Sequence, residues 1–150
     1  VMSSPRPLLI TPMTDEQRKA VVDSYFKKLD AGHDLTVLFA ENAYVYFPKH
    51  RPARGIEEVR QLFTDIVALF KEISHDSAYF NYVICDDCVV CEGMTSGVLA
   101  DGVQWRGGVG LGGRFCDVFE IRDGLIQRLH IYLDPDYGDA DAARYPWRLN

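Results

Sequence analysis

The hydrophobic pattern of this chain changes period once, near Ser74, and that change constrains the fold most strongly. Upstream, apolar residues recur at helical spacing, first through Val21, Val22, Tyr25, Phe26 and Leu29. A second, longer run carries Ile56, Val59, Leu62, Phe63, Ile66, Val67 and Phe70. Downstream the alternation is that of strands: Ser77–Cys85, Cys88–Leu99, Val103–Arg106, Arg114–Arg122 and Leu125–Asp134. Asp86-Asp87, Asp101-Gly102 and Asp123-Gly124 punctuate them as turns. Thr14-Asp15-Glu16-Gln17 has the form of a capping box opening the first helix, and Gly32 is its natural stop. A short second helix holds Leu35, Leu38 and Phe39, and Asn42–Pro48 reads as an early strand. Helices first and a meander last make an α+β domain, with the helices packed on one face of an antiparallel sheet.

The chain has 150 residues, which is one domain's worth, with 47% apolar and 25% charged side chains. Its boundaries read as a flexible segment 1–13, a domain 14–134 and a tail 135–150 packed on that domain. Sixteen basic against 22 acidic residues leave a net charge of −6. Nucleic acids and anionic membranes are therefore unfavoured partners, because both call for a basic face. No apolar run approaches the ~20 residues of a membrane span. Leu8-Leu9-Ile10 is too short for the apolar centre of a secretory signal, so the expected location is cytoplasmic.

Two motifs mimic cofactor sites. Cys85, Cys88 and Cys91 have metal-like spacing, but Asp86-Asp87 between the first two reads as a hairpin turn, with the thiols as small strand residues. Gly108–Gly113 spells a dinucleotide fingerprint, yet a strand follows it where the phosphate-binding mechanism needs a helix. It reads as a mobile connection between strands. Neither a metal nor any other cofactor is expected.

Asp117 is the most informative residue. Alternation puts it on one strand face with Phe115, Phe119 and Ile121, so a carboxyl group lies among large apolar side chains. Either a nearby backbone group or an arginine such as Arg114 or Arg128 ties it, or it is a cavity acid with a raised pKa. Tyr25, on the apolar side of the first helix, has a hydroxyl that needs a partner. The face of His130 depends on the hairpin at Asp123-Gly124. A two-residue turn pairs it with Asp117 on one face; a type I turn with a glycine bulge pairs Asp117 with Leu129 and turns His130 outward. Leu129, Ile131 and Leu133 make the better buried face, which favours the bulge. His75, opening a strand, fits either face.

The element order, together with Tyr25-Phe26-Lys27-Lys28-Leu29-Asp30-Ala31-Gly32, Leu38-Phe39-Ala40-Glu41-Asn42-Ala43 and Arg122-Asp123-Gly124-Leu125-Ile126, resembles the nuclear transport factor 2-like superfamily. Within it the chain looks most like the SnoaL-like and ketosteroid isomerase-like members. The resemblance covers about Asp15 to Asp134. It implies a curved sheet wrapped on helices into a cone with a mostly apolar cavity, in proteins that commonly dimerise through the outer sheet face. Tyr25 falls where ketosteroid isomerases keep the oxyanion-hole tyrosine, and Asp117 where they keep a protonated aspartic acid. The place of their general base is held by Phe47. Limonene epoxide hydrolases use an Arg-x-Asp pair where this chain reads Glu92-Gly93-Met94-Thr95, and their remaining aspartate aligns with Ile131.

The expectation is a cofactor-free cavity protein that binds a small apolar molecule bearing a carbonyl group. Tyr25 and Asp117 would be its catalytic hydrogen-bond donors, for isomerase, lyase or polyketide cyclase-like chemistry. The expected lining is Tyr46, Phe47, His50, Phe63, Glu92, Phe115, Phe119 and Leu129, with Glu92, His50 and Tyr46 as substitute bases. A non-catalytic ligand-binding or scaffold protein is the other class. The outer face, with Cys116, Val118, Arg128, His130 and Tyr132, is expected to form a homodimer.

Overall fold

The computed structural model describes residues 12–147. The expected flexible segment 1–13 lies outside them except for Pro12 and Met13. Helix α1, Asp15–Ala31, begins at the capping box: the Gln17 amide donates to Thr14 Oγ1 at 3.1 Å, and the Thr14 amide donates to Gln17 Oε1 at 2.9 Å. It ends at Gly32, whose φ of 68° lets its amide close onto the last carbonyls. Val22, Tyr25, Phe26 and Leu29 form its buried side. The short second helix of the sequence pattern is a single 3₁₀ turn, Thr36–Leu38.

Strand β1, Phe39–Tyr46, and the two-residue β2, Ala53–Arg54, lead into α2, Ile56–Val67. Val59, Leu62, Phe63 and Ile66 form the buried stripe of α2. The helical pattern extends to Phe70, but the chain turns at Ala68-Leu69 and Phe70 opens β3, Phe70–His75. A six-residue strand that begins on an apolar residue in helical phase is indistinguishable from one more helical turn by periodicity alone.

The meander consists of β4, Asn81–Cys85; β5, Cys88–Leu99; β6, Gln104–Arg106; β7, Arg114–Arg122; and β8, Leu125–Leu133. The sheet order is β2-β1-β8-β7-β5-β3, with β4 and β6 also on β5. The long β5 makes the corner: its first half pairs with β4 and β7, its second half with β3 and β6. The eight strands thus form one curved, unclosed sheet around α1 and α2. One pairing departs from the antiparallel expectation. β1 runs parallel to β8, with Val45 opposite Leu129 and Tyr46 opposite His130. The chain between them passes through α2 and the whole meander, so β8 arrives beside β1 in the same direction.

The β7–β8 hairpin has the two-residue turn, not the type I turn with a glycine bulge that the sequence favoured, and adds a bulge further along. Asp123 and Gly124 have φ of 54° and 75°, the left-handed pair of a two-residue type I′ turn. The register then slips: Ile121 faces Ile126, but Glu120 faces Arg128. Gln127 is the extra residue, its side-chain amide donating back to the Arg122 carbonyl at 3.2 Å. Asp117 therefore lies opposite Ile131, neither His130 nor Leu129, and His130 points outward.

The tail packs through Tyr137, which is 4% exposed and contacts Phe70 and Trp105, with ring centroids 5.0 and 4.9 Å away. Tyr145 and Trp147 stack on each other and stay exposed. The glycine cluster is wedged in place by close backbone approaches. A Cβ on Gly107 or Gly113 would stand 2.7 Å from the Thr95 carbonyl, and one on Gly112 would stand 2.5 Å from that of Tyr137.

Candidate active site

A cavity of about 250 Å³ opens between the sheet and the two helices. Its mouth lies near the end of α1 (Asp30, Ala31, Gly32) and the start of β3 (Lys71, Glu72); Tyr25, Phe63, Thr95, Phe115, Asp117 and Ile131 line its interior. The inner face of the sheet supplies rows of side chains across the strands: Val89–Phe119–Leu129, then Cys91–Asp117–Ile131, then Gly93–Phe115–Leu133. The small Gly93 leaves room for the Phe115 ring, which comes within 3.0 Å of where a Cβ would stand.

Tyr25 is 1% exposed and surrounded by rings, with Phe26, Phe119 and Phe63 centroids at 5.0, 5.2 and 6.0 Å. Burial, followed by the nearby Asp117, Tyr137 and Asp30, pushes its pKa well above that of an ordinary tyrosine. Its hydroxyl stays a donor. Asp117 is 3% exposed, and burial pushes its carboxyl far above the usual aspartate range. Its Oδ1 is fully buried and has no hydrogen-bond partner among the described residues. Arg114 donates to the Leu111 carbonyl and Arg128 sits beside His130, so neither arginine ties Asp117. Its row neighbour Cys91 has a thiol pKa pushed up to about 12, mainly by burial. A carboxyl whose pKa burial raises and a phenol thus share the wall of one cavity.

Of the residues named from sequence, the structure brings Tyr25, Asp117, Phe47, Phe63 and Phe115 to the cavity wall. Five others stand elsewhere. Phe119 and Leu129, both 0% exposed, are on the expected face but lie in the packed core beyond the wall. Tyr46 is on the outer face, its ring 5.6 Å from His130. Glu92 is on the outer face too, because it pairs with Cys116 one step out of phase with Asp117, and it accepts from the Asn81 amide at 2.9 Å. His50 lies outside the wall in the turn after β1, bonded to Asp65 of α2 at 2.8 Å. That bond, strongest among several causes, raises the His50 pKa.

The sequence did not disclose a second polar group in the wall. Asp30, in the last turn of α1, accepts from the His75 amide at 2.9 Å and meets its ring Nδ1 at 2.5 Å. The His75 side chain is 7% exposed, between the rings of Phe26 and Phe115 at 4.8 and 5.2 Å. Only the strand assignment of Phe70–His75 would have revealed it, since β3 aligns His75 with Thr95 on the inner face. No group of three or more His, Cys, Asp or Glu side chains with metal-site geometry occurs among the described residues. Cys85 and Cys88 face each other across their turn as free thiols.

A family model described as a SnoaL-like domain matches residues 22–129. Among solved structures, an NTF2-like protein from Anabaena variabilis is 18% identical, with a TM-score of 0.69 over 86% of this chain and 98% of that one. A candidate polyketide cyclase from Xanthomonas campestris is 15% identical, with a TM-score of 0.62 over 79% and 91%. A limonene epoxide hydrolase-like epoxide hydrolase from Mycobacterium tuberculosis is 16% identical, with a TM-score of 0.61 over 86% and 91%. At these identities the likeness is one of fold. No curated protein matches the sequence.

Proposed function

The chain belongs to the SnoaL-like family, and we propose that its cavity binds a small, largely apolar, carbonyl-bearing molecule and carries out cofactor-free acid–base chemistry on it. The observation that carries this reading is Asp117, 3% exposed and with no hydrogen-bond partner for its Oδ1 among the described residues, in a cavity wall it shares with Tyr25. A buried polar atom without a partner costs about 1–3 kcal/mol, so the fold carries this carboxyl group at a cost to its stability. A neutral carboxyl and a phenol both donate, so they favour an oxygen that gains negative charge as the reaction proceeds. Isomerisation, dehydration and aldol-type cyclisation all pass through such an oxygen.

Size narrows the ligand. An apolar cavity of ~150 Å³ takes benzene, and drug-sized ligands occupy ~300–1,000 Å³. About 250 Å³ therefore suits one substituted ring or two fused rings, and a four-ring steroid exceeds it. The neighbours named as polyketide cyclase and epoxide hydrolase support a small-molecule cavity of this general kind.

Binding of a phenol series tests the reading. Affinity is expected to rise with phenol acidity and to exceed that for the O-methylated analogues. Asp117→Leu removes the donor and should weaken binding of the most acidic phenol about 10–100-fold, the equivalent of ~1.5–3 kcal/mol for a bond to a charged acceptor. Asp117→Asn keeps a donor and should lose much less. If both variants bind as the parent does, the polar site is not a ligand site. Phe47 in the wall, where related isomerases keep a base, favours the second reading of a binder without catalysis.

A further inference from the structure

Donors alone polarise a carbonyl group but take no proton from its neighbouring carbon. The cavity wall carries, on the same sheet face as Asp117, a group suited to that step. We infer that His75, held by Asp30, is the base of this cavity and removes a proton from the carbon beside the carbonyl of a bound ketone. The inference rests on the function proposed above, in which the ketone oxygen lies at Tyr25 and Asp117.

The two hydrogen bonds between Asp30 and His75 have different consequences. The backbone bond, 2.9 Å from the His75 amide, would alone suffice to clip β3 to the end of α1. The second, 2.5 Å from Nδ1, fixes the ring. A carboxylate only accepts, so Nδ1 carries the hydrogen, and the neutral form of the ring has its lone pair at Nε2. Nε2 has no partner among the described residues and is not among their fully buried unpartnered atoms. Phe26 and Phe115, themselves in contact, pack against the ring, and His75 belongs to the cavity wall. A base oriented by a carboxylate, on a residue that lines a ligand-sized space, is the arrangement proton abstraction requires.

Asp117 and His75 sit on β7 and β3, with β5 between them, opposite Cys91 and Thr95 respectively. On a flat lattice that offset is roughly 16 Å between backbone positions, from the ~4.8 Å strand spacing and ~3.3 Å rise. The two side chains and, between them, the carbonyl oxygen and its neighbouring carbon have to span that offset. In the step itself the C–H bond breaks and its proton passes to Nε2. The C–H electron pair forms the enolate double bond while the carbonyl pair moves onto oxygen, which accepts from Tyr25 and Asp117. Asp30 stabilises the imidazolium. Return of a proton to carbon closes the cycle without an oxidant or co-reactant.

Deuterium exchange at the α-carbons of 2-tetralone in D2O, followed by NMR, tests this directly, with 2-naphthol binding measured in parallel. The wild-type protein should bind 2-naphthol and exchange 2-tetralone faster than buffer. His75→Gln should slow exchange at least ~100-fold while changing 2-naphthol affinity less than threefold. Asp30 is a positioning residue: Asp30→Asn should lower the exchange rate at saturation without moving the half-saturating ketone concentration. Independently of any variant, 15N-histidine spectra should show His75 as the Nδ1–H tautomer, with an Nε2 signal that shifts when 2-tetralone is added. Exchange unchanged in His75→Gln, no exchange above buffer despite 2-naphthol binding, or an Nε2 signal indifferent to the ketone each overturns the base assignment alone. Failure of the wild-type protein to bind either compound overturns the proposed function together with it.

Discussion

Asp117 sets the electrostatic character of the interior. Its folded-state pKa is raised by burial, so the folded protein holds a proton that the unfolded chain releases above about pH 4. The sign follows: stability from this group is complete below that point and declines as pH rises toward the folded value. The slope is at most ~1.4 kcal/mol per pH unit for one group. Urea denaturation of wild type and Asp117→Asn across pH 5 to 8 should show the wild type losing ground as pH rises, with the variant flatter. Parallel curves would mean that Asp117 is ionised in the fold. The buried positions of Tyr25 and Asp117 were legible in the sequence, one from helical period and one from strand alternation, while only the family resemblance brought the two together as a site. His75 and Asp30 were not, because their bond joins residues 45 apart whose elements meet only in three dimensions. Alternation also says which face a side chain takes but not where on that face the space opens, hence the packed positions of Phe119 and Leu129.

At the level of elements, caps and turns were the clearest signals and strand ends the weakest. Thr14, Gly32 and Asp123-Gly124 mark their boundaries as local chemistry dictates. Phe70 and Gln127 do not, since a short strand and a single-residue bulge leave too little pattern to read. β5 depends on close approach at the corner. A Cβ on Gly97 would lie 2.2 Å from the Glu72 carbonyl oxygen and 2.5 Å from the Trp105 ring, so β3 would have to move. Gly97→Ala should cost about 2–3 kcal/mol in chemical denaturation. Arg18 joins three elements: it donates to the Met13 carbonyl at 2.9 Å, the Ile121 carbonyl at 3.3 Å and Asp87 at 2.9 Å. Arg18→Met keeps the bulk and strands these acceptors, so a loss of about 1–3 kcal/mol is expected by the same measurement.

For the molecule as a whole, no helix among the described residues is long and apolar enough to cross a membrane. The outer sheet face is aromatic: Tyr44, Tyr46 and Tyr132 surround His130, whose Nε2 is buried without a partner among the described residues. We propose that a second copy of the chain covers this face. Sedimentation velocity at micromolar concentration should show a dimer, and Tyr132→Glu should shift it to monomer; a wild-type monomer would remove the proposal. The parallel seam between β1 and β8 has a different consequence, in time rather than space. Its partners, such as Val45 and Leu129, are 84 residues apart, and contacts so distant along a chain form slowly because a large loop must close first. Ile131 and Leu133 of β8 are also cavity wall. During synthesis the site would therefore come into being only after the last strand has emerged, so a chain arrested before Leu125 has both helices and no enclosed pocket.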